Sequence, residues 1–453
     1  MKVTKFGGSS LADAAQLKKV LEIIKADSER RFIIVSAPGK RDDKDIKVTD
    51  LLIRYCEAFL EKKETHAIES LIISRFKEIS DNLQLTSSLP IISDYISSLK
   101  ETTYKDKEKI SDLFKSSGEN CHAMLVAEFL TKNNLPATYV HPKDAGLLVE
   151  DIPGDAIIKK ESYEKIKLLT DMDTIAVIPG FFGVTENDDI CTFSRGGSDV
   201  TGAIISAGIK ADLYENFTDV DAIYAANPKL IENCQAIESL TFREMRELSY
   251  AGFNVLHDEA LIPAFYADIP VVIKNTNNPN SPGTLISSMG ALNKRVVTGI
   301  AADSGFSSIY LSKYLMNREL GFGFNVLKIL TDFHLQYDHM PSGIDDITII
   351  LRKKQLTPEI LLALSKRLKE ELELDDLIIK HDISMIAVVG EGMVNSVGAA
   401  AAATATKALA DKHINLEMIN QGASEVSIIV AIDEKQEDEA IKALYHAFFN
   451  SNQ

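Results

Sequence analysis

Lys5-Phe6-Gly7-Gly8-Ser9-Ser10 stands directly after a short apolar strand, Val3–Phe6. Two adjacent glycines let the backbone turn tightly and bring its N–H groups close to an anion. Ser9 and Ser10 add hydroxyl donors, and Lys5 adds a positive charge. The amphipathic run Asp13–Lys25 reads as a helix whose positive dipole end faces the same spot. Strand, glycine turn and helix N-terminus together read as a phosphate cradle. No Gly-x4-Gly-Lys-Ser/Thr string occurs, so this is not a Walker loop. On these six residues alone, a tight β-α turn with an incidental lysine fits equally well.

A second glycine motif repeats the pattern. Phe193-Ser194-Arg195-Gly196-Gly197-Ser198-Asp199 again stands before a helix, Ser198–Ala207. Arg195 offers a planar fork for a carboxylate or phosphate. Two such turns in one α/β region point to a site for two anions. Thr218-Asp219-Val220-Asp221 through Tyr224 and Asn227-Pro228 follows a strand at 211–215. That is the carboxyl end, where open α/β sheets bind ligands. A capped turn fits those aspartates as well. Gly118-Glu119 reads as the opening of a helix, Asn120–Phe129, where a carboxylate commonly complements the dipole. The charge-rich segment Lys100–Lys115 reads as an exposed helix or lid.

The bulk of the chain bounds its class. It has 453 residues, 45% hydrophobic and 25% charged, the profile of a globular protein of about three domains. A net charge of −17 argues against nucleic-acid or anionic-membrane partners. Four scattered cysteines without a Cys-x-x-Cys pair fit free thiols, no zinc site and a cytoplasmic location. Neither a signal-peptide h-region nor a bilayer-length apolar run is expected.

The last third contains an internal repeat. Lys328-Ile329-Leu330-Thr331-Asp332-Phe333-His334-Leu335 matches Lys407-Ala408-Leu409-Ala410-Asp411-Lys412-His413-Ile414 at an offset of 79 (407 − 328), and Ile347–Leu351 matches Val426–Val430 in register. Each unit reads strand, helix, strand, strand, helix, and buries its open sheet by pairing with its copy or a partner chain.

Taken in order, these motifs resemble the aspartate kinases: Lys-Phe-Gly-Gly-Ser-Ser, Val-Ser-Ala at 35, Gly-Glu at 118, Ser-Arg-Gly-Gly-Ser-Asp at 194, Thr-Asp-Val-Asp at 218 and Pro-Gly-Thr-Leu-Ile at 282. The repeated tail resembles paired ACT domains. The resemblance implies an α/β fold: a three-layer αβα amino-acid-kinase domain, 1–292, then ferredoxin-like α+β ACT domains at 293–380 and 381–453, the last strand returning to the first ACT unit. It implies ATP-dependent phosphorylation of the β-carboxylate of L-aspartate, with Mg²⁺ held largely by ATP oxygens and water, so no protein metal ligand is named. Another amino-acid kinase, or a non-catalytic ACT-based sensor, remains the alternative. By resemblance, Lys5 contacts the transferred phosphoryl group and Asp199 holds Lys5. Gly7, Gly8 and Ser9 cradle phosphates. Arg195, with Gly196, Gly197 and Ser198, takes the aspartate α-carboxylate and Glu119 its α-ammonium, while Ser36 and Thr49 add hydrogen bonds. Thr218, Asp219, Tyr224 and Lys274 line the nucleotide.

The resemblance also implies feedback by lysine, or else threonine, at an ACT interface. Gly321-Phe322-Gly323 opens the helix of Asn325 and offers N–H groups to a ligand carboxylate, with Met316 nearby and Asp338 for its ammonium. A homodimer, or a dimer of dimers, through the ACT domains follows. Several positions depart from the family pattern: Asn227 stands for Asp, His122 for Ser, and Glu319 and Gly343 where lysine-sensitive relatives carry serine. His257, without a partner motif, reads as structural.

Overall fold

The computed structural model describes all residues except 195, 254, 255, 258, 290–294, 395–397 and 451–453. It divides into two compact units: 1–223 with 236–246 and 255–292, and 224–235 with 247–254 and 293–453.

The first unit is built on an eight-stranded sheet. Its strands are β1 (Lys2–Phe6), β2 (Arg30–Val35), β3 (Ala137–Tyr139), β4 (Ile175–Pro179), β7 (Leu213–Thr218), β8 (Ser239–Thr241), β9 (Val271–Asn275) and β10 (Thr284–Ser287), in the order β3-β4-β2-β1-β7-β9-β10-β8. From β3 to β9 the pairing is parallel. Strands such as β2 therefore bury their apolar runs on both faces, Phe32 to Val35 being fully buried. A short hairpin, β5 (Phe182–Val184) and β6 (Ile190–Thr192), stands apart from this sheet. The helices are α1 (Ala14–Lys25), α2 (Val48–Leu60), α3 (His66–Leu83), α4 (Ser88–Ser98), α5 (Lys107–Lys132), α6 (Ser162–Lys167), α7 (Gly197–Ile209), α8 (Phe242–Tyr250) and α9 (Ile262–Tyr266). Helix α1 buries Leu17, Val20, Leu21 and Ile24, the i, i+3, i+4, i+7 stripe of an amphipathic helix.

Two expectations are corrected here. The glycine turn does not run straight into α1. A 3₁₀ turn, Gly8–Leu11, intervenes, and the Asp13 carboxylate closes the start of α1 by accepting from Gln16 N–H. The helix expected at Asn120–Phe129 is the second half of the 26-residue α5, so Glu119 sits mid-helix and meets no dipole end. Helix α5 is buried nearly all round from Ser116 to Ala123, which erases the one-sided periodicity that marks a surface helix. Its first turns are anchored: Lys109 pairs with Asp151 and Asp189, each at 2.7 Å. Buried Asp112 accepts from the N–H groups of Gly154 and Thr192, each at 2.8 Å.

The second unit carries the repeat on one five-stranded sheet, ordered β12-β11-β13-β15-β14. Its strands are β11 (Gly299–Ser312), β12 (Asp346–Arg352), β13 (Asp376–Val389), β14 (Met418–Gln421) and β15 (Ser427–Asp433), with α10 (Phe322–Asp332), α11 (Pro358–Leu372), α12 (Gly398–Ala410) and α13 (Glu437–Phe449). The offset of 79 survives in atomic detail. His334 and His413 both take the left-handed conformation just past their helices. Leu335 N–H and Ile414 N–H then bond Leu330 and Leu409, each at 3.0 Å, the helix-ending pattern that such a residue permits. Strands β11 and β13 each serve both repeats. Residues 306–312 of β11 pair with 376–383 of β13, and 299–303 pair with 385–389. The boundary expected at 380/381 thus falls inside β13, and 299–303, ahead of the first repeat, flanks the second repeat's sheet. Among the described residues no helix is long and apolar enough to cross a membrane.

Candidate active site

The carboxyl ends of β1, β2, β4 and β7 bring four loops together, as parallel pairing requires. Gly7 N–H bonds Phe217 O at 3.0 Å and Gly39 N–H bonds Gly8 O at 2.9 Å, so these loops touch backbone to backbone. A Cβ on Gly39 would lie 2.5 Å from the Gly8 carbonyl carbon, and one on Gly180 would lie 2.6 Å from Ser198 Oγ. Only glycine fits either place. The N–H of Gly7 is thus spent within the fold. Those of Gly8 and Ser9 lie in the 3₁₀ turn, and Ser10 Oγ bonds Thr276 at 2.7 Å.

Lys5 is buried, with its Nζ 2.6 Å from Asp199 Oδ1. Asn216 completes the group: its Nδ2 donates to Asp199 at 2.8 Å and its Oδ1 accepts from Lys5 at 3.3 Å. Lys5 and Asn216 are register partners on β1 and β7, so both project to the face where α7 packs. Asn216 was missed from sequence, although an asparagine inside a buried strand is its own signal. Asp199 lies in the first turn of α7, which starts at Gly196 (φ +75°) with no side-chain cap. That helix end therefore keeps N–H groups for a ligand. Gly202 leaves room for Tyr214, whose hydroxyl donates to Asp199 O at 3.2 Å. Beside this turn Phe181 takes a left-handed φ of +80°, its N–H held by Thr201. Arg195 lies outside the described residues.

Glu119 is buried, and its Oε2 has no hydrogen-bond partner among the described residues. Burial pushes its pKa up to about 8, against a backbone hydrogen bond from Ala37 that favours the anion. Gly118 lets Ala37 approach, since a Cβ there would meet Ala37 Cβ at 2.8 Å. His122, one turn on, bonds Ser36 O through Nδ1 at 2.9 Å, and burial pushes it down to about 4. Thr49 lies half-buried in the first turn of α2.

The residues expected to line a nucleotide divide. Thr218 ends β7 and donates to Asp219 at 3.2 Å. Asp221 is occupied as a turn brace by Asn275 and Asn278. Lys274, register partner of Phe217, projects from the sheet face opposite to Lys5, and burial lowers its pKa. Tyr224 belongs to a segment of the second unit. Among the described residues no group of three or more His, Cys, Asp or Glu is placed to hold a metal ion.

In the second unit, Gly321 (φ +83°) starts α10 without a side-chain cap, and Met316 is buried. Asn325 is exposed on that helix. Asp338 lies elsewhere: it lines a cleft with Leu330 and Thr331, at the far end of α10 from Gly321. Ten residues of helix separate the two ends by about 15 Å. Within one chain the expected effector residues therefore form two groups, and Asp338 accepts from Tyr250 Oη at 2.9 Å.

Comparison with known proteins follows the same division. The amino acid kinase family model matches residues 1–275 and an ACT domain model matches 386–448. Aspartokinase 3 of Bacillus subtilis is 49% identical over 450 residues, covering 99% of each chain. The chain belongs to the aspartokinase family. An aspartokinase of Geobacillus stearothermophilus is 27% identical over 84% of this chain and 92% of its own. Among solved structures, the Clostridium acetobutylicum aspartate kinase superposes with a TM-score of 0.87 at 38% identity, covering 99% of this chain and all of that one. Aspartokinase III of Escherichia coli, solved with lysine and aspartate in a T-state, shares the fold at a TM-score of 0.77 and 22% identity, covering 99% of each chain. The kinase and ACT fold read from this aspartokinase's sequence is thereby established, as is its class as an aspartate kinase.

Proposed function

We propose that the Lys5–Asp199–Asn216 group is the phosphoryl-transfer centre of an enzyme converting ATP and L-aspartate to ADP and 4-phospho-L-aspartate. The carrying observation is the buried ion pair at 2.6 Å, where two glycine-rich turns meet. The nucleophile, a β-carboxylate of reference pKa about 4, is already ionised at neutral pH. No general base is needed, and the task is to hold two anions in line and neutralise charge on the transferred group. In this reading Lys5 contacts that group, and Asp199 with Asn216 fixes the lysine. Gly8 and Ser9 N–H groups cradle phosphate oxygens. The open start of α7, with Arg195, takes the substrate α-carboxylate. Glu119 takes its α-ammonium, and Ser36 and Thr49 flank it. Thr218, Asp219 and Lys274 serve the nucleotide. Mg²⁺ suits this donor set when it rides on ATP oxygens and water, a mode that asks for no carboxylate cage.

The reading extends to regulation. The kinase part spans 1–292, and the two ACT units share one sheet across 293–453. An end-product amino acid, lysine first and threonine second, shifts the enzyme toward a less active state from the ACT sheet. The separation of Asp338 from Gly321 within one chain supports a site completed by a second copy, hence a dimer.

ADP release with Mg-ATP tests both parts. Turnover on L-aspartate and not L-glutamate, suppressed by lysine, supports them. Folded protein without aspartate-dependent turnover overturns the chemistry. Asp338→Ala should raise the inhibitory concentration and leave uninhibited turnover unchanged. An unmoved inhibition curve removes Asp338 from the sensor.

A further inference from the structure

We infer that Glu119 is a neutral carboxylic acid in the empty site, and that the α-ammonium of aspartate ionises it, so substrate binding expels a proton. The inference rests on Glu119 being the ammonium's partner and deepens that reading. Its ground is geometric. Glu119 lies in the middle of α5, far from either helix end, with one oxygen unpartnered and no ion pair to any described residue. An anion so placed has lost water and gained little in return.

The neighbouring titratable groups do not rescue the charge. On α5 itself, Cys121 and His122 are both held neutral by burial, and Lys115, one turn before Glu119, makes no ion pair with it and acts on Cys56 of α2. From α4 and β3, Tyr95 and Tyr139 both hydrogen-bond Asn120, and burial raises their pKa values, so both stay neutral phenols. From α2, Tyr55 donates to Glu69. From β6, burial keeps Cys191 protonated. From α3, Arg75 is committed to Asp45 at 2.7 Å and to backbone carbonyls. Lys5 is committed to Asp199. Burial accordingly holds Glu119 near 8.

An arriving ammonium supplies the missing cation. The O–H bond of Glu119 breaks, its electron pair stays on the carboxylate, the proton leaves to solvent, and an ammonium–carboxylate pair forms. His122 does not retain the proton, because burial holds it near 4. Recognition of the ammonium is then gated by pH: weak where Glu119 resists ionisation and strong where it ionises freely.

Calorimetric titration of L-aspartate into the full chain, in buffers of different ionisation enthalpy, reads the proton count directly. Release of about one proton at pH 7 is expected, fading above pH 9, with affinity rising about tenfold per pH unit from pH 6 to 7.5. Succinate, which lacks the ammonium, should bind without release. The near-isosteric Glu119→Gln should abolish release and flatten the pH dependence. Aspartate that binds and turns over with no proton release overturns this inference alone. Failure of folded enzyme to bind aspartate overturns the site reading with it. Should the variant not fold, the wild-type proton count still decides.

Discussion

Buried Glu119 and largely covered Asp199 are two carboxylates on helices of the same unit, and they live in opposite circumstances. Asp199 sits in the first turn of α7, 2.6 Å from Lys5 and 2.8 Å from the Asn216 amide. Both partners meet its Oδ1, a cation and an amide donor on one oxygen. Glu119 sits mid-helix on α5 with one oxygen bare. Burial alone does not set the state of an acid; its partners do. A carboxylate already paired is a structural anion that orients its lysine. One left unpaired waits for a ligand to complete it.

Breaking the paired member should cost most. Lys5→Met leaves Asp199 without its cation and removes charge from the proposed phosphoryl position. We expect kcat to fall on the order of a thousandfold or more, with the aspartate KM much less affected, in steady-state ADP release. Lys5→Arg should not restore it, because a guanidinium cannot occupy a pocket shaped for one ammonium. If Lys5→Met keeps wild-type turnover, the pair is only structural. The unpaired member should respond in kcat/KM for aspartate, with Glu119→Gln losing on the order of a hundredfold. Its stability should move the other way. A carboxyl whose folded pKa is raised to about 8 binds more protons folded than unfolded from about 4.5 up to that value. Wild-type stability therefore declines through that window, and the melting-temperature advantage of Glu119→Gln should grow from pH 5 to pH 8 and then level off. A constant advantage would mean that Glu119 is not carrying its proton in the folded state.

The paired and unpaired roles were unequally legible in the sequence. Lys5 and Asp199 fall within glycine motifs, and each motif announces a turn before a helix. The repeat offset is likewise a property of the string, and it reappears as the matched left-handed residues His334 and His413. What escaped reading depends on distant segments meeting. Asn216 acquires its meaning from register with Lys5, 211 positions away. Gly39 and Gly180 matter because other backbones or side chains press on them. Glu119 reads as a first-turn carboxylate complementing a dipole because a helix buried nearly all round shows no amphipathic stripe to mark its true start at Lys107. Asp338 follows Gly321 by only 17 positions (338 − 321), but it lies beside the opposite end of α10.

Asn216→Ala sharpens the comparison more gently. It removes one donor from Asp199 and one acceptor from Lys5 but leaves the ion pair, so a loss of about tenfold in kcat is expected. No loss would show that the pair orients itself without help.

The smallest effect belongs to His122. Its Nδ1 bonds Ser36 O, and burial holds its folded pKa near 4 against the ordinary imidazole value of about 6.5. Such a group binds fewer protons folded than unfolded between those values. The stability it supports is present above about 6.5 and is lost as pH falls toward 4. His122→Ser removes this titration and places a small hydroxyl on the helix. The acid limb of a melting-temperature profile should flatten between pH 6.5 and 4, with turnover at pH 8 changed by no more than about twofold. Thermal unfolding of the variant over that range separates the two carboxylates from their surroundings. If the acid limb stays as steep as in the wild type, the proton uptake on acidification belongs to the carboxylates paired elsewhere in the unit and not to this imidazole.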